Sequence, residues 1–530
     1  MSSDAIASPA AETEARWERL RGNFALALAA GASRVREAGG APHSVQLDER
    51  LVQAIWHDQM LRAEELVTAS GKRLEVIEPG RWNTTRGPDF LDARIRLAGE
   101  VVQGDIEIHV HSADWSRHGH HQDFEYNRTI LHVALRPGDD RPYDEKQNGE
   151  RLERLYIEHA LEPDLDTIRA TINAADYPHG RPAHLGLCHE EFLRLPDPQL
   201  QEFLLAAGKS RMEQKIARFA AQRATADFPQ LVYQSVMTGQ GFKGSKTLYF
   251  LLSKRAPLSE LVEMSRDFPE AERADFFLSV LLHVAGIVGR SGSFLEEPDE
   301  ETRAFQDRLT RLWRAAAPYF SDRLMPPTKR WFSGMRPAGF PTRRLAAVAL
   351  LLARLADPHA PLFTYLLEEI RNAPLNAMSA KELREFHRRL LGQIVVPGDA
   401  HYFGMHFTLG GKKQKPQSLL GEPAAESLVF NVVLPLGILS ARETRDRALA
   451  ENCWRLALGF PSLEKNSIVS FMEKRIFGET GAARSLTRLE IFQQALLKIF
   501  SDCCAQNERT CDDCTFFSLA ERLRREGVAT

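Results

Sequence analysis

The sequence predicts an α+β domain near the N-terminal end followed by a large all-α region. Three observations carry that prediction. Between residues 73 and 137, apolar and polar residues alternate in short runs, the two-residue period of half-buried strands. From about residue 160 onward, apolar residues recur every three to four positions, the helical period. Proline and glycine cluster between the periodic segments, where turns belong.

Residues 1–44 are rich in Ala, Glu, Ser and Gly and read as a flexible N-terminal tail. LDERLVQAIWHDQMLRAEELV (47–67) sets Leu47, Leu51, Ile55, Met60 and Leu66 at near-helical spacing and predicts a helix ending near Ser70-Gly71. RLEVIEP (73–79), PDFLDARIRL (88–97) and VVQGDIEIHVH (101–111) predict three strands, the last two joined through AGE as a hairpin. DWSRHGHHQDFEYNR (114–128) reads as a loop and short helix, and TILHVALRP (129–137) as a strand stopped by Pro-Gly-Asp-Asp. The order helix, three strands, helix, strand makes an α+β domain over 45–160. Segments such as EFLLAAGKSRMEQKIARFAAQ, RLAAVALLLARL and AKELREFHRRLLGQIV build a helical scaffold over 161–495, with no fixed-period repeat. Residues 496–530 form a cysteine-rich knuckle and a charged tail.

With 530 residues, 43% hydrophobic and 26% charged, the composition is that of an ordinary globular protein. A formal net charge of −3 excludes a chain that is basic throughout, while leaving room for local basic patches. No uninterrupted apolar run reaches the ~18 residues of a membrane span, so no membrane partner is expected. FALALAAGA is too short for a secretory signal, and six cysteines are too few for a disulfide scaffold. The expected location is cytoplasmic.

The chemistry concentrates in GDIEIHVH (104–111). On a strand, Ile106, Ile108 and Val110 point one way, and Asp105, Glu107, His109 and His111 the other. Burying four such groups unpaired is costly, so that face is either wet or built around something. If 88–97 and 101–111 pair as a hairpin, Asp89 lies opposite residues near 109 and meets Glu107. Two converging carboxylates beside a nitrogen base can hold a divalent ion and activate water.

Gly87-Pro88-Asp89 followed by Glu107-Ile108-His109 resembles the PD-(D/E)XK nuclease signature, with His109 where the lysine stands. The order of elements over 45–160 resembles that fold's core. The wider chain, including RPAGFPTRRLA (336–346), resembles a bacterial family catalogued only as a domain of unknown function. The nuclease resemblance implies Mg²⁺ or Mn²⁺ held by Asp89, Glu107 and the Ile108 carbonyl. It implies that His109 orients or deprotonates the attacking water. A first-helix acid would be Glu64 or Glu65. Gln122 and Tyr126 match the Gln-x-x-x-Tyr of RecB-like members, and Arg86 and Arg117 would contact phosphate. The implied function is metal-dependent hydrolysis of phosphodiester bonds in DNA or RNA. A catalytically inactive nuclease-fold module that binds nucleic acid or protein is one alternative. Another is a His-rich metalloenzyme on a different substrate, using His109, His111 and His118 with the loop that carries His120 and His121.

Cys504-x6-Cys511-x2-Cys514 has metal-knuckle spacing and, with one more thiolate, would close a Zn²⁺ or [4Fe–4S] site. Cys453 reads as a small core residue. GQGFKGSKT (239–247) is not a P-loop, because Ser245 separates Gly244 from Lys246. Arg323, Lys329, Arg330, Arg336, Arg343 and Arg344, with GGKKQKP (410–416), would track a phosphate backbone or else serve as solvated helix ends.

Overall fold

In a computed structural model of the chain, the described residues are 49–83, 87–172, 177, 185–186, 188–193, 197–241, 245–288, 299–326, 331–332, 336–355, 361–399, 401–478 and 487–504. The expected tail, Arg86, Lys329, Arg330, Cys511 and Cys514 lie outside them. By contacts the chain divides into two compact units. One comprises residues 1–211, 465–487 and 492–530, the other 212–464 and 488–491.

The first unit is built on a seven-stranded mixed sheet. Its strands are β1 (Leu74–Glu78), β2 (Arg81–Trp82), β3 (Phe90–Leu97), β4 (Glu100–His111), β5 (Thr129–Arg136), β6 (Tyr143–Glu145) and β7 (Arg151–Tyr156). The order is β1-β3-β4-β5-β7-β6, with β2 also on β3. The β3–β4 hairpin closes through Ala98 and Gly99, both at positive φ (49° and 94°), the tight turn that the strand twist favours. β4 then pairs with β5 in parallel, and β5 with β7 in parallel. The crossing segment is α2 (Asp114–Arg117) and two 3-10 turns, His120–Gln122 and Phe124–Arg128.

Helix α1 (Glu49–Asp58) buries Val52, Ile55 and Trp56 in the cluster that holds Ile106 and Ile108 of β4 and Leu131 and Val133 of β5. At about 1.5–3 kcal/mol for each large apolar side chain removed from water, this face supplies much of the sheet's cohesion. The opposite face of β4 is also buried, and there the residues are Asp105, Glu107 and His109.

Strands β6 and β7 lie in a stretch to which the periodicity assigned no structure. RLERLY carries charge at half its positions, which hides the alternation, yet its Arg154 is fully buried. A second cluster of this unit joins Cys188, Phe192, Met472, Phe500, Cys503 and Cys504.

The second unit is helical, with a core running from Met212 to Phe460. Asp227, Asp299, Ser379 and Asp446 cap helices through their side chains, and Ser379 with Glu382 forms a reciprocal capping box. Of the stretch 239–247, Gly239 and Gln240 end the helix Phe228–Gln240, Lys246 and Thr247 begin the helix Lys246–Arg255, and 242–244 lie outside the described residues. Cys453 is a core residue, its thiol pushed up to about 12 by burial first and then by Asp446.

The helical stretch Glu422–Thr444, 23 residues long, is apolar enough to cross a membrane by length and composition, although 72% of its most apolar window is buried in the protein. It escapes a search for uninterrupted apolar runs because Asn431 and small polar residues break it up.

Candidate metal centre on the sheet

The polar face of β4 is set up by one close approach. A Cβ at Gly104 would come within 2.4 Å of Ile130 Cγ2 and 2.6 Å of the Arg128 carbonyl oxygen, so only glycine lets β5 begin there. The β4–β5 register shifts between Asp105 and Ile106, after which Glu107 pairs with His132 of β5. On the other side, β3 bulges at Leu91-Asp92, and the Asp92 N–H donates to Asp105 Oδ1 at 3.0 Å. Asp105 therefore braces the bulge.

Asp89 and Glu107 sit side by side. The Asp89 N–H donates to Glu107 Oε2 at 3.0 Å, and the Ile108 N–H donates to Asp89 Oδ2 at 3.0 Å. Gln53 of α1 donates to Asp89 Oδ1 at 2.9 Å. In a strand the N–H and C=O of one residue face the same way, so the Ile108 carbonyl faces Asp89 too. Gly87 turns into this segment at φ 98°, where a side chain would be strained. The helix group at the site is Gln53. Glu65 stands instead in the 3-10 turn Ala63–Glu65, bonded to Arg62, and Glu64 is exposed in the same turn.

Glu107's other oxygen faces imidazoles. His120 Nε2 lies 3.0 Å and His109 Nε2 3.7 Å from Glu107 Oε1. His120 Nε2 is 3.3 Å from His109 Nε2, and His118 Nδ1 is 3.1 Å from it. The nitrogens of His109, His118 and His120 all lie within 4.8 Å of one another. His109 is fully buried and His120 nearly so, while His118 is at the exposed side. Tyr126 packs its ring on His120 at 4.0 Å, and Trp115 closes the back against His120 and His132.

Behind His109 runs a buried chain of partners. His109 Nδ1 meets His132 Nε2 at 2.9 Å, His132 Nδ1 meets Asp144 Oδ2 at 2.6 Å, and Arg154 grips Asp144 with two nitrogens at 2.6 and 2.7 Å. Burial pushes the Asp144 carboxyl up, but Arg154 and His132 outweigh it and hold it below its ordinary value. An ionised Asp144 only accepts, so His132 carries its proton on Nδ1 and presents a lone pair at Nε2. His109 must then donate from Nδ1, which leaves the lone pair of Nε2 aimed at Glu107, His118 and His120. Burial first, then the neighbouring His132, His120 and His118, hold the His109 imidazole well below its ordinary pKa, so it is neutral at pH 7. Burial also lowers His118.

Sequence reasoning brought Asp89, Glu107, Ile108 and His109 to one place, and the structure puts them there. Gln122 and Tyr126 part company: Asp123 is extended between two 3-10 turns, so Gln122 is exposed on His121 while Tyr126 is buried on His120. Arg117 is exposed and paired with Asp114 at 2.7 Å, and His111 is exposed at the strand's end. Trp82 and Trp115 are core residues. Arg343 and Arg344 are not a phosphate-tracking surface. Arg343 is buried and donates to the Ala338, Phe403, Gln417 and Ser418 carbonyls, and Arg344 donates to those of Gln240 and Gly339.

His132, Asp144, Arg154 and Gln53 are absent from the sequence reading. Only His132 leaves a signal, a lone imidazole in the otherwise apolar TILHVAL.

A family model described as "Protein of unknown function (DUF2851)" matches residues 49–467. No curated protein and no solved structure matches the chain.

Proposed function

We propose that this chain, which belongs to the DUF2851 family, is a divalent-metal-dependent hydrolase of phosphodiester bonds, with a PD-(D/E)XK-like N-terminal core. The observation that carries the reading is the convergence of Glu107 Oε1 and the His109 Nε2 lone pair beside Asp89, on the strand where the nuclease signature sits. The helix, hairpin and parallel crossover strand around them support it.

The donors favour a particular kind of ion. Both Asp89 oxygens accept protein N–H groups, and the atoms facing Glu107 Oε1 are imidazole nitrogens. Magnesium prefers oxygen donors and retained waters, so this set suits Mn²⁺ or Zn²⁺ better. When bound, such an ion lowers the pKa of a water and polarises a phosphoryl oxygen.

The residues divide the remaining work. Asp89 is a positioning residue: its amide fixes Glu107, and its carboxylate fixes the Ile108 amide and is itself held by Gln53. His118, neutral and at the exposed side, takes the proton of the attacking water. Trp115 and Tyr126 exclude solvent from the imidazoles.

Purified full-length protein incubated with DNA and RNA across divalent metals tests this. Cleavage with Mn²⁺ or Zn²⁺ is expected, reduced at least about a hundredfold in Glu107→Gln and His109→Gln. Wild-type protein inert towards both substrates, or cleavage that survives Glu107→Gln, overturns it. A second reading, the same centre acting on another hydrolysable substrate, is favoured by one observation. The flanking Arg117 and Arg128 are already paired with Asp114 and Asp92.

A further inference from the structure

The distances among the imidazoles and Glu107 identify the ion more closely than the function requires. We propose that Glu107 Oε1, His109 Nε2 and His120 Nε2 form the three-donor face of a tetrahedral zinc site, whose fourth position opens beside His118. The inference deepens the proposed function, since it names the ion of the same site.

The metric argument is direct. Donors about 2.0–2.1 Å from a tetrahedral ion stand about 3.3–3.4 Å from one another, whereas adjacent donors of an octahedral ion at the same bond length stand about 2.9 Å apart. The three edges here are 3.0, 3.3 and 3.7 Å. They scatter around the tetrahedral value, and the longest is too long for a hydrogen bond. Two nitrogens and one carboxylate oxygen, with a fourth place left for water, are the donor set of catalytic zinc.

The protonation pattern points the same way and comes from different residues. The order Arg154, Asp144, His132, His109 fixes the proton of His109 on Nδ1 by hydrogen bonding alone. That is the outer support of a metal-bound histidine, here lengthened by one imidazole. A merely structural histidine has no need to keep a lone pair turned away from its own donor chain, towards a carboxylate and two further imidazoles. The His118–Gly119–His120 turn makes the arrangement possible. Gly119, at φ 80°, reverses the chain, so that His120 goes inward while His118 stays at the solvent side, 3.1 Å from His109 Nε2.

The test uses the full-length chain stripped of metal and titrated with Zn²⁺ and, for spectroscopy, Co²⁺. Zinc is expected to bind one N/O-only site, and cobalt to give the intense visible absorption of tetrahedral coordination. Affinity should fall at least about a hundredfold in His120→Ala and in Glu107→Gln, which preserves the volume of the side chain, but less than about tenfold in His118→Ala. Circular dichroism and the thermal midpoint confirm that each variant is folded. If His120→Ala fails to fold, Glu107→Gln and the wild-type cobalt spectrum decide.

Two results overturn the proposal. One is a cobalt spectrum and zinc affinity unchanged in Glu107→Gln. The other is a spectrum showing only sulfur-to-cobalt charge transfer, which would place the ion on cysteines. Binding is read without turnover. A chain that holds zinc here yet cleaves nothing sinks the hydrolase reading and leaves the centre standing.

Discussion

In the sheet of the first unit, buried polar side chains bond chiefly to one another; in the helical unit they bond chiefly to backbone. Arg154, Asp144, His132, His109 and the groups facing His109 form one continuous chain of side-chain partners. Arg343, by contrast, spends its guanidinium on four carbonyls, Trp331 donates to the Ala285 carbonyl, and Asn452 to those of Ile370, Arg371 and Ala373. A backbone carbonyl has one protonation state, so those contacts can only hold the fold. A run of titratable side chains fixes tautomers along its length and delivers a lone pair at its end. The difference separates a scaffold from a site.

Breaking the first kind of contact should cost most. In Asp144→Ala the Arg154 side chain loses the carboxylate it bonds twice, and His132 loses the acceptor that sets its tautomer. A destabilisation of about 3–5 kcal/mol is expected in urea unfolding, the range for stranding a buried charge. A loss under about 1 kcal/mol would mean that Asp139 alone satisfies Arg154, and the contrast between the units would blur.

The helical unit has its own titrating contact, and it behaves differently. His401 caps Tyr402–Met405 through Nδ1, and its pKa is pushed down to about 4 by burial first, then by Arg308 and Arg343, with Asp275 at 3.9 Å on the other side. The unfolded chain takes up this proton below about pH 6.5, the folded chain only below about 4. Stability therefore falls as pH drops through that window, by roughly 3 kcal/mol from this residue. His401→Asn keeps a capping acceptor and removes the titration. The difference between wild type and variant in unfolding free energy, measured from pH 7 to 4, should show that loss. Parallel curves would refute it.

The smallest effect sharpens the contrast. Ser379→Ala breaks the exposed capping box with Glu382 and should cost about 1 kcal/mol. Zinc affinity should not change. A shift in affinity would show that stability alone tunes the centre.

How much of this was legible depends on the range of the interaction. Two-residue alternation suffices to put Asp105, Glu107 and His109 on one face, because a strand allows nothing else. The hairpin through Ala98-Gly99 brings the start of β3 against β4 by local register. It is the bulge at Leu91-Asp92, which sets Phe90 opposite Ile106, that brings Asp89 to Glu107, and no local pattern announces it. His132, Asp144 and Arg154 reach His109 only through the parallel pairing of β4 with β5 and β5 with β7, which no local pattern encodes. Gln53 was hidden for a similar reason, since a glutamine on an amphipathic helix reads as solvent-facing. Arg343 and Arg344 read as surface because charge is ordinarily outside, yet main-chain carbonyls turned them inward. The helical periods from residue 160 onward named helices well but said nothing of their partners.

The apolar stretch Glu422–Thr444 has a consequence for how the chain is made. Part of what covers it, the helix Arg447–Gly459, leaves the ribosome only after it does. For that interval the nascent polypeptide carries an apolar stretch whose cover is incomplete. The earlier helix Phe228–Gln240 also packs on it, so part of its cover is already made when the stretch emerges, and packing of Arg447–Gly459 completes it.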